Sequence, residues 1–403
     1  MVMKRKLLLL GGSAYALPVI KKAQELGCEV ITCDYLPDNI AHKYSDYYVN
    51  ASIIQHELIL KIAEELKIDG IMSFACDPGV VTAAYVAEKL KLPSAGSYES
   101  VKILQNKPRF RSFLREHGFQ SPMAKGYHDK KKALSEADSF RLPIIVKPAD
   151  SAGSKGVSKV DEIDCLKDSI ELAFAHSISS SIIIEEYIES KGAPSDSECF
   201  SVNGELKFVS YSSQYFDVEN RNPFVPSGFT WKPEISEHGR QELTKELQRL
   251  LSLLNMGTSL YNVEARENMD GTVYLMEVSP RGGGNRLAEM LRYITGVDLI
   301  ELSIRSALGE EIEPIEEGVS FDHRFAELIL HSRKAGIFKG VQLSDDIKDC
   351  VVEQRIWVNQ GDFIDEFSGA NKTIGTLIMK FDSDEHMNMV MSNPERYVFI
   401  QVD

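Results

Sequence analysis

The stretch YNVEARENMDGTVYLMEVSPRGGG, residues 261–284, decides how this chain is interpreted. Its two halves alternate apolar and polar residues, which is the pattern of half-buried strands. Asp270-Gly271 between them is among the strongest hairpin signals, because glycine tolerates the positive φ that a two-residue turn demands. With that dipeptide as the loop, Glu264 pairs directly with Glu277. Two carboxylates are therefore predicted to face each other across neighbouring strands, with Cβ atoms about 4.5–5.5 Å apart.

The same register divides the other side chains of the hairpin between two faces, because successive residues of a strand alternate. It also pairs Met269 with Thr272 and Ala265 with Met276. The predicted core face holds Tyr261, Val263, Ala265, Tyr274, Met276 and Val278. The predicted polar face holds Asn262, Glu264, Arg266, Leu275, Glu277, Ser279 and Arg281.

Two glutamates placed opposite each other repel unless a cation lies between them. Oxygen ligands on a rigid hairpin suit Mg²⁺, which takes a few carboxylates together with substrate phosphates. An exposed polar face with an accidental Glu–Glu pair is the alternative, and on the hairpin alone the two interpretations are about equal. Arg281 and the glycines at 282–284 favour a site, because arginine grips carboxylate or phosphate in a fork and glycine lets a ligand approach the backbone.

Length and composition limit the remaining possibilities. A chain of 403 residues predicts two or three domains. A net charge of −15 argues against a nucleic-acid or anionic-membrane surface, because phosphates attract cationic faces. The apolar run after the first basic residues is four leucines long, too short for a signal peptide, and nothing approaches the ~18 apolar residues of a membrane helix. The six cysteines form no C-x-x-C pair, which indicates free thiols in a reducing cytoplasm.

Three units are predicted along the chain. Residues 1–107 alternate strands and helices, which indicates an open parallel sheet covered by helices. Residues 108–311 form a central unit that contains a small α+β lobe at about 115–186. Residues 312–403 form a strand-rich unit. Single helices are predicted at 237–254 and 286–308, and the Pro-rich segment at 217–233 is interpreted as a specificity loop, with a disordered surface loop as the alternative.

A glycine-rich loop follows a predicted strand in LPIIVKPADSAGSKGV, residues 142–157. Lysines and free backbone N–H groups together can cradle a polyphosphate. The loop is not a Walker A motif, because no G-K-[ST] occurs in it. Lys147 taken alone would more often be a surface lysine, so its interpretation depends on the surrounding motifs.

These motifs in this order resemble the ATP-grasp superfamily, in its branch near biotin carboxylase, carbamoyl phosphate synthetase and the carboxylate–amine ligases. The resemblance covers nearly the whole chain and implies an ATP-grasp fold: an N-terminal α/β domain, a central ATP-grasp domain with a lid, and a β-rich C-terminal domain. By resemblance, Glu264 and Glu277 ligate Mg²⁺, with Mn²⁺ as an alternative, and Arg281 holds the reacting anion. The family usually has asparagine where this chain has Ser279, and Asn262 is considered as a substitute ligand.

The resemblance also implies an ATP site. Lys107 in LQNKPRFRSFL and Lys147 would bind the phosphates. The flap over the triphosphate would be formed by Ser151, Ala152, Gly153, Ser154, Lys155 and Gly156. The hinge that reads adenine would be formed by Glu185, Glu186, Tyr187 and Ile188, although an ordinary strand is the commoner meaning of such a run. Ribose recognition stays open between Glu189, Asp196 and Glu198.

The C-terminal segment is similar to that of the biotin-carboxylase branch, with one departure. Biotin carboxylases carry a catalytic arginine two residues after a glutamate, whereas here Glu327 is followed by Leu328 and Ile329. This departure argues against carboxylation of biotin. A carbamoyl phosphate synthetase large chain would carry two such ATP-grasp units, and this chain has room for one.

The predicted function is that of an ADP-forming carboxylate–amine ligase that uses ATP and Mg²⁺. Its expected partners are a small-molecule carboxylate and an amine, without nucleic acid or membrane, and a homodimer is left open. A non-catalytic ATP-binding module is the first alternative. A nicotinamide oxidoreductase is the distant one, because the segment after the first strand begins with Gly11-Gly12 and lacks the spacing of G-x-G-x-x-G.

Overall fold

The computed structural model describes residues 4–151, 153–316 and 318–403. Its strands are β1 Lys6–Leu10, β2 Glu29–Asp34, β3 Tyr47–Asn50, β4 Gly70–Ser73, β5 Ala124–Tyr127, β6 Ile144–Pro148, β7 Ser158–Val160, β8 Ile182–Glu186, β9 Ser195–Val202, β10 Glu205–Val209, β11 Ser213–Phe216, β12 Pro226–Thr230, β13 Ser259–Glu267, β14 Val273–Ser279, β15 Phe325–Leu330, β16 Gly336–Leu343, β17 Val351–Ile356, β18 Phe363–Ile364, β19 Gly375–Lys380 and β20 Val398–Val402.

Twelve helices lie in the described part of the chain. They are α1 Leu17–Glu25, α2 His56–Leu66, α3 Asp77–Leu90, α4 Tyr98–Gln105, α5 Lys107–Glu116, α6 Lys130–Glu136, α7 Leu166–His176, α8 Glu237–Leu253, α9 Leu287–Thr295, α10 Leu299–Ala307, α11 Asp345–Lys348 and α12 Asp384–Ser392. None of these helices is long and apolar enough to cross a bilayer.

The first sheet is parallel and has the order β3-β2-β1-β4, as the alternation of strands and helices predicts. Leu7, Leu8, Leu9 and Leu10 of β1 are all fully buried, because helices cover both faces of such a sheet. Ligands bind open parallel sheets beyond the carboxyl ends of the strands. The segment that follows β4 there, residues 74–77, reaches the candidate site described below.

The hairpin of β13 and β14 lies at one side of an antiparallel sheet with the order β10-β9-β13-β14. Helix α8 covers one face, and Leu243, Leu247 and Leu250 pack in the same core as the hairpin. These leucines recur at the three- and four-residue spacing that places side chains on one side of a helix. The predicted helix at 237–254 is thereby confirmed, and it supports the hairpin from beneath.

The hairpin pairs the two glutamates as predicted, but its loop and its register differ from the prediction. The loop has three residues, 269–271, because the Asn268 N–H donates to Thr272 O at 2.9 Å and Gly271 adopts φ +88°. A β-bulge at Met276 then restores the register, so Glu264 pairs with Glu277 as predicted, whereas Ala265 pairs with Leu275. The predicted pairs Ala265–Met276 and Met269–Thr272 are wrong.

The bulge also changes which face the residues nearest the loop occupy. Leu275 was predicted on the polar face, but it is buried in the core beside Ala265 and Tyr261. Met276 and Tyr274 were predicted in the core and are only half-buried. A bulge inserts one extra residue into a strand and so reverses the alternation on one side of it.

The small lobe is built on the sheet β5-β8-β6-β7. Helices α6 and α7 cover it, with Ile144, Val146, Ile182 and Ile184 in its core. The lobe supplies Lys147, the glycine-rich flap and the predicted hinge strand. These three features therefore lie on one small sheet that faces the hairpin sheet.

The last sheet has the order β11-β12-β15-β19-β17, and a second, smaller one has the order β18-β16-β20. Strands β11 and β12 precede residue 312, and β12 pairs with β15 after it. The segment 217–233, predicted as a loop throughout, thus contains a strand at Pro226–Thr230. The predicted helix at 286–308 is two helices, because Gly296 ends α9 at φ +81° and Asp298 caps α10.

Candidate active site

Three adjacent strands place six polar side chains in two rows on one face of the hairpin sheet. Directly opposed residues of antiparallel strands share a face. The first row is Glu277, Glu264 and Asp196, and the second row is Ser279, Asn262 and Glu198. The hairpin gives two members of each row, and β9 adds the third.

The first row consists of three carboxyl groups and lies beside Lys107. The Lys107 Nζ atom, at the start of α5, is 3.3 Å from Glu277 Oε2. Burial alone would lower the pKa of Lys107, but Glu277 and Asp77 outweigh it and raise that pKa. Glu264 keeps a path to solvent, yet the protein around its carboxyl and the neighbouring Glu277 raise its pKa. A divalent cation between the two glutamates would relieve this repulsion.

In the described part of the chain, no three acidic, histidine or cysteine side chains converge on one metal position. The first row therefore offers a metal ion the two carboxylates of the hairpin. An ion held by two carboxylates fits Mg²⁺, which fills its other positions with phosphate oxygens and water. These donors do not suit a structural zinc ion, which takes four ligands, usually Cys and His.

Lys147 lies in a buried charged cluster with Glu185 and Arg111. Arg111 Nε donates to Glu185 Oε2 at 2.9 Å, and Lys147 Nζ donates to Glu185 Oε1. Burial would raise the pKa of Glu185, but Arg111 and Lys147 outweigh it and bring that pKa to about 2. Burial also lowers the pKa of Lys147. Glu185 is thus an ionised anchor that holds two cations near the glutamate pair, and its backbone is the predicted start of the hinge.

The flap is attached to two other parts of the chain. Lys107 Nζ donates to Ser151 O at 3.4 Å, at the start of the flap. Ser154 Oγ donates to Phe224 O at 2.7 Å, and Asn222 Nδ2 donates to Ser154 O at 2.8 Å and to Ser368 O at 3.2 Å. Asn222 therefore links the flap to the segment after β11 and to the C-terminal part. Ala152 of the predicted flap lies outside the described residues.

Gly153 and Gly156 of the flap both adopt φ +70°, which glycine allows at no steric cost. Lys155 is exposed at the tip of the flap. The loop thus has two glycines in the left-handed region and one exposed lysine, and its role as a cover over phosphates stays a prediction.

The hinge strand β8 already uses some of its backbone groups. The Glu186 N–H donates to Met123 O at 2.9 Å, and the Tyr187 N–H donates to Pro143 O at 3.0 Å. Ile188 O accepts a hydrogen bond from Arg266 Nη1 at 3.1 Å. A purine at this strand would have to use other backbone groups of the same residues.

Asp196 and Glu198 lie in the two rows, beside the hairpin, and not on the hinge strand. Asp196 accepts hydrogen bonds from Asn262 Nδ2 at 2.6 Å and Gln214 Nε2 at 3.3 Å. Glu198 Oε1 accepts the Gly283 N–H at 2.6 Å, and burial raises its pKa to about 8. Of the three residues considered for ribose, only Glu189 is close to the hinge in sequence and exposed.

Arg281 is held by a carboxylate that the sequence did not indicate. Its Nε donates to Asp77 Oδ1 at 2.9 Å and its Nη2 to Asp77 Oδ2 at 2.8 Å. Burial would raise the pKa of Asp77, but Arg281 and Lys107 outweigh it and lower that pKa. Asp77 begins α3 in the first domain, so this pair joins the N-terminal sheet to the end of the hairpin.

Gly282 allows the two parts of the chain to meet. A Cβ on Gly282 would lie 2.2 Å from the Phe74 ring, and the Ala75 N–H donates to Gly282 O at 2.9 Å. We expect Gly282→Ala to destabilise the protein by about 1–3 kcal/mol, because the added methyl group overlaps the Phe74 ring and forces the two segments apart. Thermal unfolding measures this loss. Gly284→Ala is the matched control, since its Cβ would meet Tyr15 at an ordinary 3.8 Å. Equal effects of the two substitutions would contradict the steric explanation.

Three residues that shape the site were missed in the sequence. Arg111 lies four residues after Lys107 on the same helix, a spacing that places both on one face, and this signal could have identified it. Asp77 follows a buried strand and precedes Pro78 at a helix start, which marks the carboxyl edge of the parallel sheet. Asn222 gives no sequence signal, because its two acceptors lie 68 and 146 residues away.

Comparison with known proteins identifies the central part of the chain. Residues 140–289 match the model of the ATP-grasp domain. This segment contains the flap, the hinge strand, both rows of the hairpin sheet and the glycines after Arg281.

The carbamoyl phosphate synthase large chain of Clostridium beijerinckii is 22% identical over 334 residues, which cover 80% of this chain and 30% of that protein. The corresponding chain of Thermoanaerobacter sp. is 26% identical over 267 residues, which cover 64% of this chain and 24% of that protein. The chain therefore spans less than a third of the length of these curated relatives.

Solved structures share the fold over the whole chain. An L-amino acid ligase from Bacillus licheniformis superposes with a TM-score of 0.82 at 19% identity, and a phosphoribosylglycinamide synthetase from Anaerococcus prevotii with 0.76 at 19%; each match covers 100% of both chains. The biotin carboxylase domain dimer of a Hydrogenobacter thermophilus 2-oxoglutarate carboxylase, in complex with MgADP, ADP and bicarbonate, gives 0.72 at 16%, over 100% of this chain and 92% of that one.

Proposed function

Because the chain contains an ATP-grasp domain, we propose that it is an ADP-forming ligase that joins a carboxylate to an amine. The observation that carries the proposal is the Glu264–Glu277 pair, with Lys107 beside it and Arg281 two residues beyond Ser279. This arrangement combines donors for a divalent cation on one face of a sheet with a cation for phosphate and a guanidinium for an acid beside them. The related enzymes named above support the reaction class.

In this proposal Glu264 and Glu277 hold Mg²⁺, or Mn²⁺ in its place. Such an ion neutralises charge on the phosphates of ATP during phosphoryl transfer. The fit depends on the donors: two facing carboxylates, one with a raised pKa that a cation would lower again. Asn262 and Ser279, predicted as further ligands, have their own partners, which are discussed below.

Lys107 and Lys147 bind the phosphates of ATP, and the flap of Ser151 and residues 153–156 covers them. Arg111 keeps Glu185 ionised and so holds Lys147 in place. Closure of the flap excludes water, which would otherwise hydrolyse a reactive intermediate. The hinge residues Glu185, Glu186, Tyr187 and Ile188 contact the purine in this proposal.

The reaction takes two steps. An oxygen of the substrate carboxylate, held near Arg281, attacks the γ-phosphorus; the bond to the β-γ bridging oxygen breaks, and ADP leaves. The resulting acyl phosphate is attacked at its carbonyl carbon by an amine, which forms the amide and releases inorganic phosphate. The amine loses one proton in the second step, to solvent or to a nearby carboxylate. Two substrates thus condense at the expense of one ATP.

A screen for acid-dependent ADP release tests this function. The protein with Mg·ATP is supplied with amino acids and sugar acids, alone and with candidate amines, and ADP is measured. We expect one class of acid to raise ADP release above the level with ATP alone. Tight ATP binding without turnover for every acid would favour a non-catalytic module. A change in nicotinamide absorbance would favour the oxidoreductase.

We expect Lys147→Ala to weaken ATP binding more than AMP binding, because the lysine is assigned to the phosphates beyond the first. A charge-assisted hydrogen bond is worth about 1.5–3 kcal/mol, or on the order of ten- to hundred-fold in affinity. Calorimetric titration with both nucleotides measures the difference. Lys125→Ala is the control, because this half-exposed lysine of the same lobe pairs with Glu136 away from the site. Equal losses for ATP and AMP would refute the assignment.

The proposal extends to assembly and compartment. A homodimer is supported by the dimer described for the biotin carboxylase domain above. Light scattering separates a monomer of 45.1 kDa from a dimer of twice that mass. A cytoplasmic location is supported by six cysteines that form no disulfide.

A further inference from the structure

The second row of the hairpin sheet lies on the same face as the glutamate pair, but its polar atoms already have partners. Ser279 is fully buried; its Oγ donates to Asp77 Oδ1 at 3.1 Å and accepts from Gln105 Nε2 at 2.6 Å. The Oδ1 atom of Asn262 accepts from Arg281 Nη1 at 3.0 Å. Ser279 Oγ is therefore bonded to Asp77 and Gln105, while Asn262 bonds Arg281 through Oδ1 and Asp196 through Nδ2. A ligand of a substrate-bound Mg²⁺ needs a lone pair that faces the open site.

The guanidinium of Arg281 is almost completely engaged. It has five N–H donors. Asp77 takes one from Nε and one from Nη2, and the two of Nη1 go to Asn262 Oδ1 and Gly282 O. One N–H, on Nη2, remains for another partner. Arg281 therefore offers its charge and a single hydrogen bond, not the two-bond fork that the sequence predicts.

Asp77, whose carboxylate accepts two hydrogen bonds from the Arg281 guanidinium, belongs to the N-terminal domain. Asp77 is the first residue of α3, and the segment before it packs Phe74 against Gly282. Three hydrogen bonds to its carboxylate, one from Ser279 and two from Arg281, hold it in one orientation. Loss of any partner would leave a buried charged group with an unmatched donor or acceptor, which is costly.

We propose that Asp77, Ser279 and Asn262 form a seat for the guanidinium of Arg281, and that Ser279 positions Asp77 and does not ligate the metal. These three are positioning residues; Arg281 contacts the acid. A serine at position 279 fits this role, because one hydroxyl donates to Asp77 and accepts from Gln105 at the same time. The inference rests on the proposed function for the identity of the acid, but not for its statement about the metal.

The test compares Ser279→Ala with Glu277→Gln in two assays. The first is the Mg²⁺ concentration for half-maximal ATP binding, measured by calorimetry or fluorescence. We expect Ser279→Ala to stay within about two-fold of the unchanged protein, whereas Glu277→Gln raises the requirement about ten-fold or more. A rise in Ser279→Ala as large as that in Glu277→Gln would overturn the proposal.

The second assay is acid-dependent ADP release. We expect Ser279→Ala and Asp77→Asn to raise the KM for the acid about ten-fold or more, with the KM for ATP unchanged, because Arg281 loses its orientation. Ser279→Thr keeps the hydroxyl and is expected to recover most of the affinity for the acid. Unchanged KM for the acid in Asp77→Asn, on a preparation with normal thermal unfolding, would also overturn the proposal.

The two assays separate this inference from the proposed function. If no acid elicits ADP release, the proposed function fails, and the Mg²⁺ requirement of ATP binding still decides whether Ser279 is a ligand. If ADP release is found, both assays apply. The proposal then requires that Ser279→Ala raises the KM for the acid and leaves the Mg²⁺ requirement of ATP binding unchanged.

Discussion

Replacing Glu277 by glutamine is expected to abolish turnover while the fold remains intact. Glutamine has nearly the same shape, so the pairing of β13 with β14 is preserved, but one of the two charged donors for Mg²⁺ is lost. We expect acid-dependent ADP release to fall about a hundred- to a thousand-fold or more, since removal of one group that stabilises transition-state charge has an effect of this size.

The same substitution is not expected to lower the stability of the metal-free protein. Without a metal, the negative charges of Glu264 and Glu277 repel each other, and the substitution removes that repulsion. It also removes the ion pair with Lys107 at 3.3 Å, which offsets part of that gain, although Asp77 and Glu264 still stabilise the charge of Lys107. We therefore expect the unfolding temperature without Mg²⁺ to hold or rise slightly.

Turnover and thermal unfolding, each with and without Mg²⁺, test both statements on one preparation. Glu205→Gln is the control, because this exposed glutamate lies on β10 of the same sheet and faces Lys207. Near-normal Mg·ATP turnover in Glu277→Gln would sink the metal assignment. The metal assignment would also be refuted if Mg²⁺ and ATP raised the unfolding temperature of Glu277→Gln as much as that of the unchanged protein.

Arg281→Lys is expected to separate the binding of ATP from the use of the acid. Lysine presents a point charge and cannot satisfy both oxygens of Asp77 together with Asn262, as the planar guanidinium does. Glu264, Glu277, Lys107 and Lys147 are untouched, so Mg·ATP should still bind. Acid-dependent turnover should fall by a factor on the order of a hundred or more, because a misplaced acid is far from the geometry of attack.

ATP affinity and coupled turnover must be measured on the same preparation of this variant. ATP hydrolysis without transfer to the acid is expected to persist or rise, because the acid is no longer held in line. Arg292→Lys serves as the control, since that arginine is largely exposed and pairs with Asp298 outside the site. Lost ATP binding with unchanged turnover per bound ATP would place Arg281 on the nucleotide.

Local patterns predicted the parts of the fold that local physics governs. The alternation of strands and helices in the first hundred residues indicated a parallel sheet, which the structure confirms. The period of two and the Asp-Gly turn indicated the hairpin. The loop, however, has one more residue than predicted, and the bulge at Met276 compensates for it. The bulge lets Leu275 pack in the core shared with α8, a contact that no local pattern encodes. The correct pairing of the glutamates therefore arose from two errors of opposite sign.

The contacts that complete the site could not be predicted from the sequence, because the partners are far apart in the chain. Asp77 and Arg281 are 204 residues apart, and Arg111 and Glu185 are 74 apart. The sequence shows that Arg281 carries five N–H donors. It does not show that two of its nitrogens donate to the carboxylate of Asp77, which belongs to another domain. The prediction of Arg281 as a fork for a substrate followed from its residue type; its actual partners follow from the tertiary fold.

The pairing of β12 with β15 has a consequence for anyone who would recombine this protein with its relatives. An exchange of the C-terminal part at residue 312 would separate Pro226–Thr230 from the strand to which it is hydrogen-bonded. The transplanted piece would carry an exposed strand edge, which invites aggregation. A functional chimera must move residues 213–230 together with 312–403, so two separate segments have to be exchanged where the linear order suggests one.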